Sequence, residues 1–265
     1  MAEAGTAAGA GQLFGEILSA ASRVAWTETK DQKTIGTIPR VSYGRFLKDL
    51  HWKQGQHITE IGPTGYGKTT LAVDLLTRRD YVIAFGTKKK DDTLDKLIRT
   101  RGYRRIQTFG EIRPEDRKVV LWPNIASLES ADEITALQRE AFREALFGAF
   151  RQGGWCVYAD ELRYITARLN LKSEMELLWE QGRSSDVSIV AGYQRPRNIP
   201  LLAYDQPEHL VFFKETDYEN LDRMAQVVSW IDRKMLINTI AHLAKFDFVY
   251  LNKEEERAVV SRVEL

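Results

Sequence analysis

Gly62-Pro63-Thr64-Gly65-Tyr66-Gly67-Lys68-Thr69 fits G-x-x-x-x-G-K-[ST] at every specified position. Its flanks supply the context. His57-Ile58-Thr59-Glu60-Ile61 alternates like a short strand, and Leu71, Ala72, Leu75 and Leu76 recur at helical spacing. A strand, a glycine-rich turn and a helix start are what phosphate binding needs. Glycines let the backbone curl until its N–H groups point inward, and the helix dipole adds partial positive charge. The loop therefore reads as a triphosphate site formed by Gly62 to Thr69 with Thr70 behind it. Lys68 is placed to reach the β- and γ-phosphates and the Thr69 hydroxyl to meet Mg2+.

The 265 residues suit one large α/β domain with small additions. Net charge is +1, so global attraction to nucleic acid is not indicated and any such contact must come from local patches. Apolar runs are too short to span a bilayer, which implies no membrane insertion. The N-terminus lacks a basic stretch followed by an apolar one, so the expected setting is cytoplasmic (the host cytoplasm for a viral chain). The single cysteine, Cys156, excludes an intramolecular disulfide and lies in an apolar run, as a buried core thiol would.

Residues 1–40 read as an arm and linker. The first eleven are Ala- and Gly-rich and expected to be disordered, positions 13, 14, 17, 18, 21 and 24 have helical spacing, and 27–40 are polar. That helix would dock on a neighbouring subunit or pack on its own domain.

Residues 41–230 form the expected core. Apolar strands are predicted at Tyr81–Phe85, Lys118–Trp122, Trp155–Ala159, Val187–Tyr193 and Leu210–Phe213, the last of these closing the main sheet. Helices are predicted between them: a short one around Leu94, a long amphipathic one from Ile134 ended by Gly153-Gly154, one opened by a Ser173/Glu176 capping box, and one at Leu221–Val228. Residues 231–265 add a helix and a small β-hairpin, Phe246–Leu251 with Ala258–Val263. Strands alternating with helices imply a mostly parallel central sheet covered by helices, with ligands outside the carboxyl ends of its strands.

Asp160 and Glu161 follow an apolar strand, the position of a Walker B pair. Asp160 would hold the Mg2+ shell, and Glu161 would orient and deprotonate an attacking water. Gln194 closes the next strand, where it can sense a γ-phosphate or satisfy the following turn. Arg183 ends the preceding helix. Its planar fork suits phosphate oxygens on a neighbour's nucleotide, or it complements its own helix dipole; Arg163 and Arg195 compete for the first role.

The run Gln181-Gly182-Arg183 through Ser188-Ile189-Val190-Ala191-Gly192-Tyr193-Gln194-Arg195-Pro196 resembles the FtsK/HerA superfamily, with Tyr193 in place of the usual Thr. The similarity spans about residues 55–230. It implies an additional-strand (RecA-like) P-loop ATPase with the Gln194 strand between the Walker A and Walker B strands. It also implies ATP and Mg2+ as cofactors, and a homo-oligomeric ring (pentamer or hexamer) moving double-stranded DNA. By the same resemblance Lys68 and Thr69 bind nucleotide and metal, Asp160 orders Mg2+, Glu161 activates water, Gln194 senses and Arg183 acts in trans.

The membrane and DNA-orienting domains of FtsK-type translocases, and the nuclease of large terminases, have no counterpart in these residues. That favours viral genome packaging, with a portal or other assembly protein as docking partner. Two basic clusters offer phosphate contacts: Lys88, Lys89 and Lys90 with Arg99, Arg101, Arg104 and Arg105 nearby, and Arg163, Arg168 and Lys172. Competing readings are a secretion or virion-assembly ATPase acting on protein, a non-motor switch or scaffold, and a small-molecule kinase. Glu161 argues against a switch, and no arginine lid or acceptor pocket marks a kinase.

Overall fold

The computed structural model describes residues 33–35, 38–196 and 199–265. The predicted helix at 13–26 lies outside them. The chain runs β1 (Lys33–Ile35), β2 (Ile38–Arg40), α1 (Tyr43–Lys48), β3 (Ile58–Ile61), α2 (Lys68–Leu76), β4 (Val82–Phe85), α3 (Asp92–Thr100), β5 (Arg104–Ile106), β6 (Lys118–Leu121), α4 (Ala131–Gln152), β7 (Cys156–Ala159), α5 (Lys172–Gln181), β8 (Ser188–Tyr193), α6 (Leu202–Asp205), β9 (His209–Phe213), α7 (Tyr218–Ala225), α8 (Arg233–Ala241), β10 (Asp247–Asn252) and β11 (Arg257–Arg262). All eleven described strands join one sheet in the order β1-β2-β11-β10-β9-β3-β8-β7-β4-β6-β5. From β9 to β5 every pairing is parallel. β8 lies between β3 and β7, as the superfamily resemblance implies.

The pleat explains the two cores. Successive strand residues point to opposite faces, and here both faces are buried. Ile61, Ile83, Val157, Ala159, Ile189 and Ala191 face one layer with α4 to α8; Ile58, Val82, Ala84, Tyr158 and Val190 face the other with α1, α2 and α3. Cys156 is buried in the second layer, and burial pushes its thiol up to about 12.

Three local expectations change. β9 does not end the sheet: β10 pairs antiparallel with it from Phe248↔Phe213 to Asn252↔His209, so the C-terminal hairpin continues the main sheet. The polar run before Val41 includes strands, β2 lying parallel to β11 with Arg40 hydrogen-bonded to the buried Asp247 at 3.2 Å. α5 begins at Lys172 after Leu171, a buried residue whose N–H donates to the Ile165 carbonyl. Ser173 therefore sits inside the first turn and caps nothing, and Glu176 pairs with Lys172 at 3.4 Å. The reciprocal capping boxes occur instead at Ser130/Glu133, opening α4, and at Thr108/Glu111.

Candidate functional site: the carboxyl ends of the central strands

β3 delivers the chain to the glycine-rich loop. Gly62 N–H donates to the Tyr193 carbonyl at 3.0 Å, which ties the start of the loop to the end of β8. Gly65 and Gly67 take φ of 78° and 102°, left-handed values open to glycine without a Cβ clash. α2 then starts at Lys68. The Lys68 ammonium is buried and donates to the Gly62 and Pro63 carbonyls at 2.7 and 2.9 Å. Thr64, Tyr66 and Thr70 complete the loop and first helical turn. Burial lowers the Lys68 pKa, and Asp160 and Glu60 oppose the shift.

Asp160 follows β7, directly across β8 from the loop. Its Oδ2 accepts from the Thr69 hydroxyl at 3.3 Å, joining the two predicted metal ligands. Burial raises the Asp160 pKa while Lys68 and Lys88 pull it back. Glu161 beside it is clamped at both oxygens. Thr87 Oγ1 donates to Oε2 at 3.1 Å, and Lys88 Nζ lies 2.8 Å from Oε1. Both partners come from the turn after β4, the strand next to β7. Lys88 thus belongs to this corner, although it is exposed like Lys89 and Lys90.

Gln194 ends β8 at the same edge and is exposed. With Glu161, Arg163, Tyr164, Arg168 and Arg195 it lines an open cleft of about 580 Å³. Arg163, Arg168 and Arg195 present exposed guanidinium groups there. Lys172 is not on the cleft and is engaged with Glu176. In the other basic cluster Arg104 is bound by Asp116, Nε to Oδ1 at 2.8 Å, and Arg105 stacks over Trp122 at 4.6 Å. Arg183 is elsewhere. It lies in the turn Gly182–Ser185 before β8, at the amino end of the strands, with its side chain 65% exposed and 3.5 Å from Glu208.

Solved structures share this fold. The genome packaging NTPase B204 from Sulfolobus turreted icosahedral virus 2, in a sulfate complex, superposes with a TM-score of 0.60 at 12% identity over 81% of this chain and 99% of that one. The fold is that of a P-loop ATPase. VirB4 of Thermoanaerobacter pseudethanolicus is similar at TM-score 0.58 and 8% identity, covering 79% of this chain and 89% of that one. The cytoplasmic domain of the Thermomonospora curvata Type VII secretion ATPase EccC gives 0.52 and 12%, covering 93% of this chain and 30% of that one. B204 was also solved with AMP and with AMPPCP. No protein-family model and no curated protein matches the sequence.

Four residues of this corner escape a reading by motif. Glu60, on β3, is fully buried; burial and Asp160 raise its pKa well above the carboxylate range, and Lys68 opposes them. Thr87 and Lys88 hold Glu161, and Gln138 of α4 holds Thr87. For Gln138 a signal exists: it is a polar residue at a core-facing position in the helical series of Ile134, Ala141 and Ala145.

Proposed function

We propose that this chain is an ATP-hydrolysing ring motor that translocates double-stranded DNA, in the manner of a viral genome-packaging ATPase. One observation carries the reading. A phosphate loop, an Asp160 hydrogen-bonded to its threonine, a second carboxylate at Glu161 and a polar Gln194 converge on one edge of the sheet. Binding alone would need the loop and one acid. Glu161 adds a base for water, which hydrolysis requires.

The donor set fits Mg2+. The Thr69 hydroxyl and Asp160 carboxylate are hard oxygen ligands already in contact, and among the described residues no cluster of three His, Cys, Asp or Glu competes for a metal. Such a cation would neutralise charge developing between the β- and γ-phosphates. Lys68 would exchange its loop carbonyls for phosphate oxygens, while Gln194 orients the terminal phosphate and Glu161 accepts the proton of the attacking water.

The arginine-rimmed cleft beside Glu161 supports a polyanionic track, with sequence-independent, salt-sensitive contacts from Arg163 and Arg168. A ring repeats that patch around one duplex, which reconciles DNA binding with a chain charge of +1. Among the described residues no helix is long and apolar enough to cross a membrane. The similarity to a secretion ATPase keeps a protein substrate as the second reading.

The test is the ATPase rate of wild type and Glu161→Gln with and without double-stranded DNA. Stimulation in wild type that vanishes in the variant supports the motor. Hydrolysis indifferent to DNA removes DNA as the substrate and leaves the protein reading.

A further inference from the structure

Glu161 does not stand alone at the end of β7. Its Oε2 accepts from Thr87 Oγ1 at 3.1 Å. The Thr87 carbonyl accepts from Gln138 Nε2 at 2.9 Å, and Gln138 Oε1 accepts from the Tyr164 hydroxyl at 2.6 Å. Tyr164 N–H donates to the Glu161 carbonyl at 2.9 Å, closing the circuit. Four residues from three separate stretches of chain thus make one ring of hydrogen bonds.

The chemistry of each corner fixes its direction. The Thr87 carbonyl can only accept, so the Gln138 amide must turn its nitrogen toward it. The oxygen of that amide then faces Tyr164, whose hydroxyl donates. Gln138 is fully buried on α4 among Ala141, Phe142 and Ala145, where an apolar side chain would be the ordinary occupant. Both ends of its amide are used, so its burial leaves no polar group unpaired. Tyr164 sits in a widened helical turn, with Leu169 N–H donating five residues back to the Tyr164 carbonyl at 2.9 Å. The same tyrosine lines the arginine cleft.

We infer that Gln138 is a positioning residue for Glu161: it holds the Thr87 turn against the carboxylate and ties that turn to Tyr164 on the wall of the cleft. The inference rests on the ATPase reading above. Gln138 touches neither nucleotide loop nor metal ligands. It sets where Thr87 Oγ1 stands, and Thr87 sets the carboxylate. Movement of Tyr164 by material in the cleft is felt at Glu161 through the three hydrogen bonds that run by way of Gln138 and Thr87.

The test uses the full chain and the variants Gln138→Leu, Thr87→Val and Tyr164→Phe. Gln138→Leu is expected to lower kcat about tenfold, the scale of one lost buried hydrogen bond, with KM for ATP within about twofold. The double variant Thr87→Val/Gln138→Leu should fall well short of the product of the two single effects, because Gln138 acts on Glu161 mainly through the turn that carries the Thr87 hydroxyl. A general packing defect would instead multiply with Thr87→Val.

Amide hydrogen exchange supplies a readout independent of turnover. The segment around Thr87 and Lys88 should exchange faster in Gln138→Leu and in Tyr164→Phe. An unchanged kcat, a loss confined to KM, a multiplicative double variant or unchanged exchange overturns the inference. A wild type that hydrolyses no ATP counts against the ATPase reading, and exchange then decides the role of Gln138 by itself.

Discussion

Replacing His209 by glutamine should make the protein's acid sensitivity smaller, by an amount the structure fixes. His209 opens β9 at the amino end of the sheet and is fully buried. Its Nε2 faces Gln56 Oε1 at 3.0 Å and its Nδ1 faces the Tyr250 hydroxyl at 2.7 Å. Gln56 is itself oriented, because its nitrogen donates to Glu254 at 2.6 Å. The neutral ring with its proton on Nε2 satisfies every partner. Burial pulls the His209 pKa down to about 3, helped by Arg79, His57 and Lys253 and opposed by Glu254. His57, whose Nδ1 accepts from Ile189 N–H at 3.1 Å, is likewise lowered to about 4 by burial, with Arg183 adding to the shift and a backbone hydrogen bond involving Trp179 opposing it.

The sign follows from proton counting. Below pH 6.5 the unfolded chain protonates the histidine and the folded chain does not, so stability falls as pH falls until about pH 3. Between pH 7 and pH 5 the loss is about 2 kcal/mol for one such group. Glu60 and Asp160, with raised pKa values, titrate in the opposite sense and blunt the slope of the whole protein. They cancel in the difference between wild type and His209→Gln. The variant should be less stable at pH 7 by about 1–3 kcal/mol, for imperfect replacement of buried hydrogen bonds. That gap should shrink by about 2 kcal/mol at pH 5. Urea unfolding of both proteins at pH 7, 6 and 5 measures it. A gap independent of pH would refute the reasoning, because it would mean that His209 takes up its proton in the folded state as readily as in the unfolded one.

Gly192→Ala should depress ATP turnover more than tenfold at retained far-UV circular dichroism, since a Cβ there would lie 2.7 Å from the Asp160 carbonyl and 2.9 Å from its Oδ1. Rate and spectrum together check it, and normal turnover would mean that Asp160 tolerates displacement. Mixing inactive Lys68→Ala and Arg183→Ala subunits should restore part of the ATPase rate, because wild-type Lys68 and wild-type Arg183 then meet across some interfaces. No recovery at any mixing ratio would count against Arg183 as a finger acting in trans.

The parts of this site that a reader of the sequence can find are those carried by local pattern. The phosphate loop is contiguous. Tyr81–Phe85 and Trp155–Ala159 are apolar runs because their strands are buried on both faces. β5 is invisible by that measure: Arg104-Arg105-Ile106 has one apolar residue, and its strand character comes from pairing with β6 at the sheet edge. β1 and β2 fail for the same reason. Lys88, Lys89 and Lys90 look alike as a charge run, and only the adjacency of β4 and β7 turns the first of them onto Glu161. Gln138 and Glu161 are likewise joined by topology alone, through a turn that neither adjoins in sequence.

Arg183 shows what topology adds to the ring reading. β8 runs parallel to β3, in register from Ile58↔Val190 to Ile61↔Tyr193, and Arg183 precedes its first residue while Gln194 follows its last. Six strand residues at roughly 3.3 Å each put about 20 Å between those ends. The Arg183 backbone also packs on Gly55, just before β3, far from the loop after it. An arginine side chain cannot span that length, so Arg183 cannot serve its own phosphate loop. If it serves any, the loop belongs to another copy, whose strand carboxyl ends face this copy's strand amino ends. Such a contact joins two different surfaces and is therefore heterologous, repeating around a closed ring or along an open filament. The exposed Arg183 held only at 3.5 Å by Glu208 is then a group ready to exchange one anionic partner for another.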